Sequence, residues 1–251
     1  MLKTEARCCQ GKYLYLPTDV RTETELADFL NCRVSILATP GIGATFIDYL
    51  VTAKENDRNI FLPCKNQEME RFIYLLDGEA ELLVAETKME LTKDGYVYIP
   101  PGIEMNLCRK GSKSLIFYYM IRRYRENGNG EMPELIWGNR SQIRQEHVNG
   151  EHSQKTGKLL PEKAVFDLSA NILSFEPGVG FKQMESHVQE HGIYVLEGEA
   201  CFYLDQEWIS VEKGDYLWLG PYVPHCCYGT GTSEFSYLLV KDDHRNYQEL
   251  L

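Results

Sequence analysis

The sequence predicts an all-β protein in which one fold is used twice, and two observations carry that reading. From Val34 the chain breaks into short runs rich in β-branched and aromatic residues, separated by Gly, Pro, Asn and Asp, which is the texture of a sandwich or barrel. The second half then repeats the first at an offset of 120 residues. Phe72-Ile-Tyr-Leu-Leu-Asp-Gly-Glu-Ala80 lies under Gly192-Ile-Tyr-Val-Leu-Glu-Gly-Glu-Ala200, while Lys93, Tyr96 and Pro101 lie under Lys213, Tyr216 and Pro221. No gap is needed from about residue 65 to 121.

In chain order, residues 1–33 are polar and mixed and are expected to form an arm that packs across a barrel or a subunit. Within it, Thr22-Glu-Thr-Glu-Leu-Ala-Asp-Phe-Leu30 is the only short helical pattern. Residues 34–124 hold the first set of strands, among them Thr45-Phe-Ile-Asp-Tyr-Leu-Val, Ala80-Glu-Leu-Leu-Val and Leu115-Ile-Phe-Tyr-Tyr-Met-Ile. Residues 125–163 contain few aliphatic side chains and two Asn-Gly turns, and read as a connector. Strands resume in residues 164–251.

Composition narrows the function. A formal charge of -11 and the lack of any basic block argue against a nucleic-acid partner, because gripping a phosphate backbone needs clustered Lys and Arg. No stretch approaches a membrane span and no signal-like apolar run follows Lys3 and Arg7, so a cytoplasmic protein acting on a small polar molecule is expected. The eight cysteines form no C-x-x-C pair and read as free thiols, mostly small core residues. A homo-oligomer is expected.

The chemistry concentrates in Glu185-Ser-His-Val-Gln-Glu-His191, an E-x-H-x3-H spacing of metal-ligating side chains, joined by His225 at the end of Gly214-Asp-Tyr-Leu-Trp-Leu-Gly-Pro-Tyr-Val-Pro-His225. On an extended strand, side chains two apart share a face, so Glu185 and His187 are expected to point at one ion while His191 reaches it from further along. Three imidazoles and a carboxylate suit Mn²⁺, Fe²⁺, Co²⁺, Ni²⁺ or Zn²⁺. The repeat supplies an internal control: under Glu185, His187, His191 and His225 lie Lys65, Gln67, Arg71 and Met105, which cannot form the same site. Along Glu234-Phe-Ser-Tyr-Leu-Leu-Val-Lys241, alternation puts Phe235, Tyr237, Leu239 and Lys241 on one face. The positions under Tyr237 and Lys241 are Phe117 and Ile121, so these polar groups disappear together with the ligands. Gln183 is expected to line the pocket, Tyr194 and Phe202 to pack in the core, and His147, His152 and His244 to face solvent.

These two segments resemble the two motifs of the cupin superfamily, with the donors of the first motif permuted. The order in E-S-H-V-Q-E-H-G, together with G-D-Y-L-W-L-G-P-Y-V-P-H, S-Y-L-L-V-K-D-D-H-R-N and A-T-P-G-I-G-A-T-F-I-D-Y-L-V, is similar to the (S)-ureidoglycine aminohydrolase family of two-cupin enzymes. That resemblance implies a bicupin: two double-stranded β-helix (jelly-roll) barrels in tandem, metal-free in the first and metal-binding in the second. It implies Mn²⁺ as cofactor, Glu185, His187 and His191 as metal ligands, and Tyr237 and Lys241 around the substrate; beside these, His225 is expected to complete the metal set and Gln183 to meet the substrate, with Lys241, Tyr237 and Glu185 the catalytic groups. It further implies release of ammonia from (S)-ureidoglycine to give (S)-ureidoglycolate, a step of allantoin and purine degradation. At the position of His225 the family generally has Gln, whereas this chain has the His of ordinary cupins. Two other readings of the same ligands are a metal-dependent dioxygenase acting on a small organic acid and a non-catalytic small-ligand-binding cupin.

Overall fold

The computed structural model describes residues 5–53, 59–60, 62, 66–126, 130–148 and 151–243, apart from the side chains of 151 and 152. Cys64, Lys65, His244, the Asn-Gly turn residues 127–129 and 149–150, and the side chain of His152 lie outside the described residues. Those described form twenty-one strands and three single-turn 3-10 segments. Among them no helix is long and apolar enough to cross a membrane.

The chain divides into two compact units, Thr22–Thr39 with Thr45–Gln142, and Met1–Arg21 with Pro40–Ala44 and Ile143–Leu251. In the first, a six-stranded antiparallel sheet runs in the order Ile136–Asn139, Gly95–Ile99, Met69–Asp77, Ile116–Arg123, Phe46–Ala53, Cys32–Ala38. A four-stranded sheet of Asn59–Ile60, Met105–Lys110, Glu79–Val84 and Thr87–Thr92 accompanies it. Alternate residues of both sheets meet in one core, with Val34, Val51 and Phe117 from the first and Leu82, Leu91 and Leu107 from the second. The C-terminal unit repeats this plan. Its larger sheet centres on Tyr216–Leu219, His191–Glu197, Phe235–Asp242 and Leu168–Phe175, its smaller on Glu207–Glu212, Glu199–Leu204 and His225–Gly229. Each unit is therefore an antiparallel jelly roll of two sheets around one core. Burial of a Val, Leu or Phe there contributes roughly 1.5–3 kcal/mol. An exposed ion pair such as Arg7 with Glu207 contributes about 0–1 kcal/mol, so the apolar alternation sets the fold.

The repeat read in the sequence is present in the ladders. In the first unit Arg71 stands opposite Ile99 on one side and Ile121 on the other. In the second, His191 stands opposite Leu219 and Lys241, each 120 positions further on. Met105 opposite Val84 becomes His225 opposite Leu204 in the same way. The turn glycines are equivalent too. Gly78 (φ +88) and Gly198 (φ +76) adopt the left-handed region, and a Cβ there would sit 2.3 Å from the carbonyl oxygen of Ser114 or 2.6 Å from that of Glu234.

Three segments depart from the sequence reading. Residues 22–30 form no helix: Thr24 bridges Val34, and Phe29 enters the N-terminal core with its ring edge-on to Tyr49 at 4.9 Å. Tertiary burial of Phe29 outweighs a weak local propensity. The arm ahead of it is a hairpin, Arg7–Cys9 and Tyr13–Leu16, that extends the C-terminal sheet by pairing with Tyr216–Leu219. Asp215 fixes it by accepting hydrogen bonds from the Tyr15 hydroxyl (3.0 Å) and the Thr18 amide (3.0 Å). The segment read as a connector carries strands Ile136–Asn139, Gln145–Val148 and Glu151–Lys158. These run along sheet margins, where one strand face meets water and polar residues suffice. Of the described cysteines only Cys32 and Cys227 are buried, so most are not core residues.

Candidate metal centre

The ligand segment is not the strand assumed from its spacing. Residues 181–190 are irregular, with a bend at 182–183, and regular structure begins at His191. What holds the segment is a set of backbone contacts to the chain around His225. Glu185 and His225 exchange amide to carbonyl hydrogen bonds of 2.9 Å each, and the Tyr222 amide donates to the His187 carbonyl at 2.7 Å. At the other end the segment is anchored by Glu190, fully buried, directly before His191. Its carboxylate accepts from the Trp218 indole N–H at 2.9 Å, and its amide donates to Asp242 at 2.6 Å. Glu190 was passed over in the sequence, where nothing distinguishes it from a solvated charge between two ligands.

This frame brings His187, His191 and His225 together, one ring nitrogen of each lying within 4.8 Å of the others. Ring centroids are 4.9, 5.2 and 4.9 Å apart. The Glu185 carboxylate joins the cluster from one side, 3.8 Å from His225 Nε2. His225 donates Nδ1–H to the Val223 carbonyl (2.8 Å), which leaves Nε2 as the nitrogen with a lone pair facing the cluster. Burial lowers the pKa of all three histidines, furthest for His191, where His225, His187 and Lys241 add to the effect. The rings are thus held neutral, the form that ligates.

The cluster fits a metal ion. His225 Nε2 is buried with no hydrogen-bond partner among the described residues. An orphaned buried polar atom costs about 1–3 kcal/mol, and an ion at the centre of the cluster removes that cost. Three neutral imidazoles with an adjoining carboxylate and no thiolate form a nitrogen and oxygen set for a divalent transition metal.

The cluster opens on a cavity of about 280 Å³. Tyr237, Leu239 and Lys241 line it from the last strand, and Phe202 contributes from the smaller sheet. Tyr237 is fully buried, and desolvation raises its pKa well above the usual tyrosine value, so it keeps its proton. Lys241 is half-buried, directly across the ladder from His191. Gln183 does not line the cavity: it is exposed at the bend, where the two-residue periodicity from Glu185 breaks. Tyr194 lies on the outer face of its strand beneath the Arg21 guanidinium, 5.7 Å from the ring centroid. His147 is exposed on its strand. The remaining wall comes from the supposed connector, through Gln154, Thr156, Lys158 and Glu162, and from Asn171. Alternation of Gln154, Thr156 and Lys158 was the available signal, hidden by the low apolar content of the stretch.

In the N-terminal unit the matched positions place Gln67, Arg71 and Met105 around a cleft of about 420 Å³. No second metal-ligating cluster occurs among the described residues. The buried glutamate, however, is present in both units, since the Tyr98 hydroxyl donates to Glu70 at 2.7 Å, 120 positions before the Trp218 to Glu190 bond.

Residues 171–241 match the family described as the cupin domain. The chain is 36% identical over 250 residues to the (S)-ureidoglycine aminohydrolase of Escherichia coli (strain K12), covering 99% of this chain and 95% of that protein. It is 32% identical over 222 residues to the (S)-ureidoglycine aminohydrolase of Arabidopsis thaliana, covering 88% and 72%. The crystal structure of protein Ylba from E. coli superposes with a TM-score of 0.85 at 33% identity, covering 97% of this chain and 96% of that one. Likeness of this extent, running through both units, makes the chain a member of the (S)-ureidoglycine aminohydrolase family of two-cupin proteins.

Proposed function

We propose that this protein hydrolyses (S)-ureidoglycine, taking up one water to give (S)-ureidoglycolate and ammonia in the purine-degrading route of the cytoplasm. The observation that carries the reading is the convergence of three imidazoles at a cavity that also bears Lys241, in a chain of this family. Glu185, His187, His191 and His225 would hold one divalent ion, Mn²⁺ in our reading. When bound, the ion supplies Lewis-acid and template chemistry toward a substrate bearing a carboxylate and an amine.

The chain's own groups do the rest. Lys241 makes no ion pair among the described residues, and a half-buried ammonium at a cavity wall is suited to the substrate carboxylate. That contact fixes which end of the substrate faces the histidines. Tyr237, with its raised pKa, is a poor acid at neutral pH. Its hydroxyl therefore serves better to orient water or the departing amine by hydrogen bonding than to surrender its proton. Leu239 and Phe202 exclude bulk water and strengthen the polar contacts within. Glu185 acts first by completing the ligand set, and any role as a base follows from that position.

The test is ammonia release from freshly prepared ureidoglycine by metal-stripped protein before and after adding Mn²⁺. Release that depends on the metal supports the reading, whereas substrate persisting at the uncatalysed rate with metal bound would end it.

A further inference from the structure

We propose that the N-terminal unit carries a binding site of its own, in which Arg71 holds a small organic monocarboxylate without any metal. Arg71 occupies the position of His191, pointing inward on the same strand face as Ile73 and Leu75, and is 1% exposed. Its Nη2 donates to the Ile103 carbonyl, while its Nε is buried with no hydrogen-bond partner among the described residues. The nearest carboxylate in sequence, Glu70, faces the other way and is engaged by Tyr98 and by Arg122 at 3.9 Å. A guanidinium is permanently charged, and burying it beside a neutral carbonyl alone is costly unless an anion meets the remaining donors.

The surroundings define that anion. Arg71 lines a cleft of about 420 Å³, larger than the C-terminal cavity of about 280 Å³. In the C-terminal unit two cations line the cavity, Lys158, which is paired with Glu162 at 2.7 Å, and Lys241. Its counterpart here is Ile121, and the charge has moved across the ladder to Arg71. Ile103 and Met105 give the cleft apolar walls and Gln67 adds an amide. Glu104, exposed at the same cleft, disfavours a multiply charged anion such as phosphate. One guanidinium, apolar walls and an acidic rim select a singly charged carboxylate with a short organic body.

This site is independent of the C-terminal chemistry and is tested with that cavity silenced. Glycolate is titrated by calorimetry into the metal-stripped Lys241→Met protein and into the metal-stripped Lys241→Met, Arg71→Met double variant, so that neither the ion nor Lys241 can hold it in the C-terminal cavity. We expect about one equivalent bound by the first and at least tenfold weaker binding by the second, the loss expected for a charge-assisted pair. No binding by Lys241→Met, or equal binding by both, would overturn the proposal. Inorganic phosphate binding the Lys241→Met protein as tightly as glycolate would overturn the assignment of the anion. Should Arg71→Met fail to fold, crystals of the wild-type protein soaked in glycolate decide. Density on the guanidinium supports the site, and a vacant cleft while glycolate fills the C-terminal cavity refutes it. Ammonia release by folded Arg71→Met is expected to stay at the wild-type level, which separates this outcome from any failure of the hydrolase reading.

Discussion

Glu70 and Glu190 occupy the same place in the two units, each fully buried and each accepting from an aromatic side chain on the neighbouring strand. One residue further on, the units part: Arg71 in one, His191 in the other. The scaffold that aims this position is therefore common property, and the chemistry is set by what stands on it. Matched ladders with unmatched donors mean that the imidazoles are not a requirement of folding. They also mean that a glutamate beside a ligand can belong wholly to the frame.

The largest expected effect comes from His191→Ala. It should abolish ammonia release, a loss of about 10³-fold or more, and empty the metal site, while elemental analysis of the wild type should give about one ion per chain. Two ions per chain would break the contrast between units. Next, Lys241→Met should cost on the order of 2–4 kcal/mol in kcat/KM with metal content unchanged. Unaltered kinetics would assign Lys241 to the solvated end of its strand.

Glu190→Gln and Glu70→Gln sharpen the shared part of the comparison. Each keeps an acceptor for its aromatic donor but loses the charge, so each should lower the urea-derived stability by about 1–2 kcal/mol. Only Glu190→Gln should also weaken metal retention under dialysis, because the weakened Trp218 contact holds the residue next to His191. Equal metal content in the two variants would show that Glu190 does not position the ligand. The smallest effect is expected from His225→Gln, which keeps an oxygen donor in place of a nitrogen. Activity should survive within about tenfold, and competition binding should move preference toward Mn²⁺ and away from Zn²⁺. A variant that binds no better than His225→Ala would mean that the imidazole geometry is essential.

The repeat was legible because each half must alternate apolar residues along its strands, and that demand marks the sequence wherever a core is built. The three histidines were legible because their spacing is rare outside ligand sets. Gln183, expected in the pocket, is exposed because the chain bends at 182–183. The strands of residues 125–163 escaped notice because margin strands need few apolar residues, and with them went Gln154 and Lys158 of the cavity wall. Glu190 was invisible for a different reason. A carboxylate buried against an indole looks, as a letter, like any surface glutamate.

The pairing of Tyr13–Leu16 with Tyr216–Leu219 imposes an order on biosynthesis. Leu16 leaves the ribosome 200 residues ahead of Tyr216, its partner in the ladder. At roughly 5–20 residues per second that is an interval of about 10–40 s. The unit of Thr22–Thr39 and Thr45–Gln142 closes its own ladders within that time. Tyr13 and Tyr15, bound for the C-terminal core, meanwhile wait in the hairpin with Arg7–Cys9, whose other edge has no neighbour. An open apolar strand edge is a template for pairing with another nascent chain. Slowing translation of the second half should therefore raise aggregation of this protein more than slowing the first, a cost of fastening the start of a chain to its end.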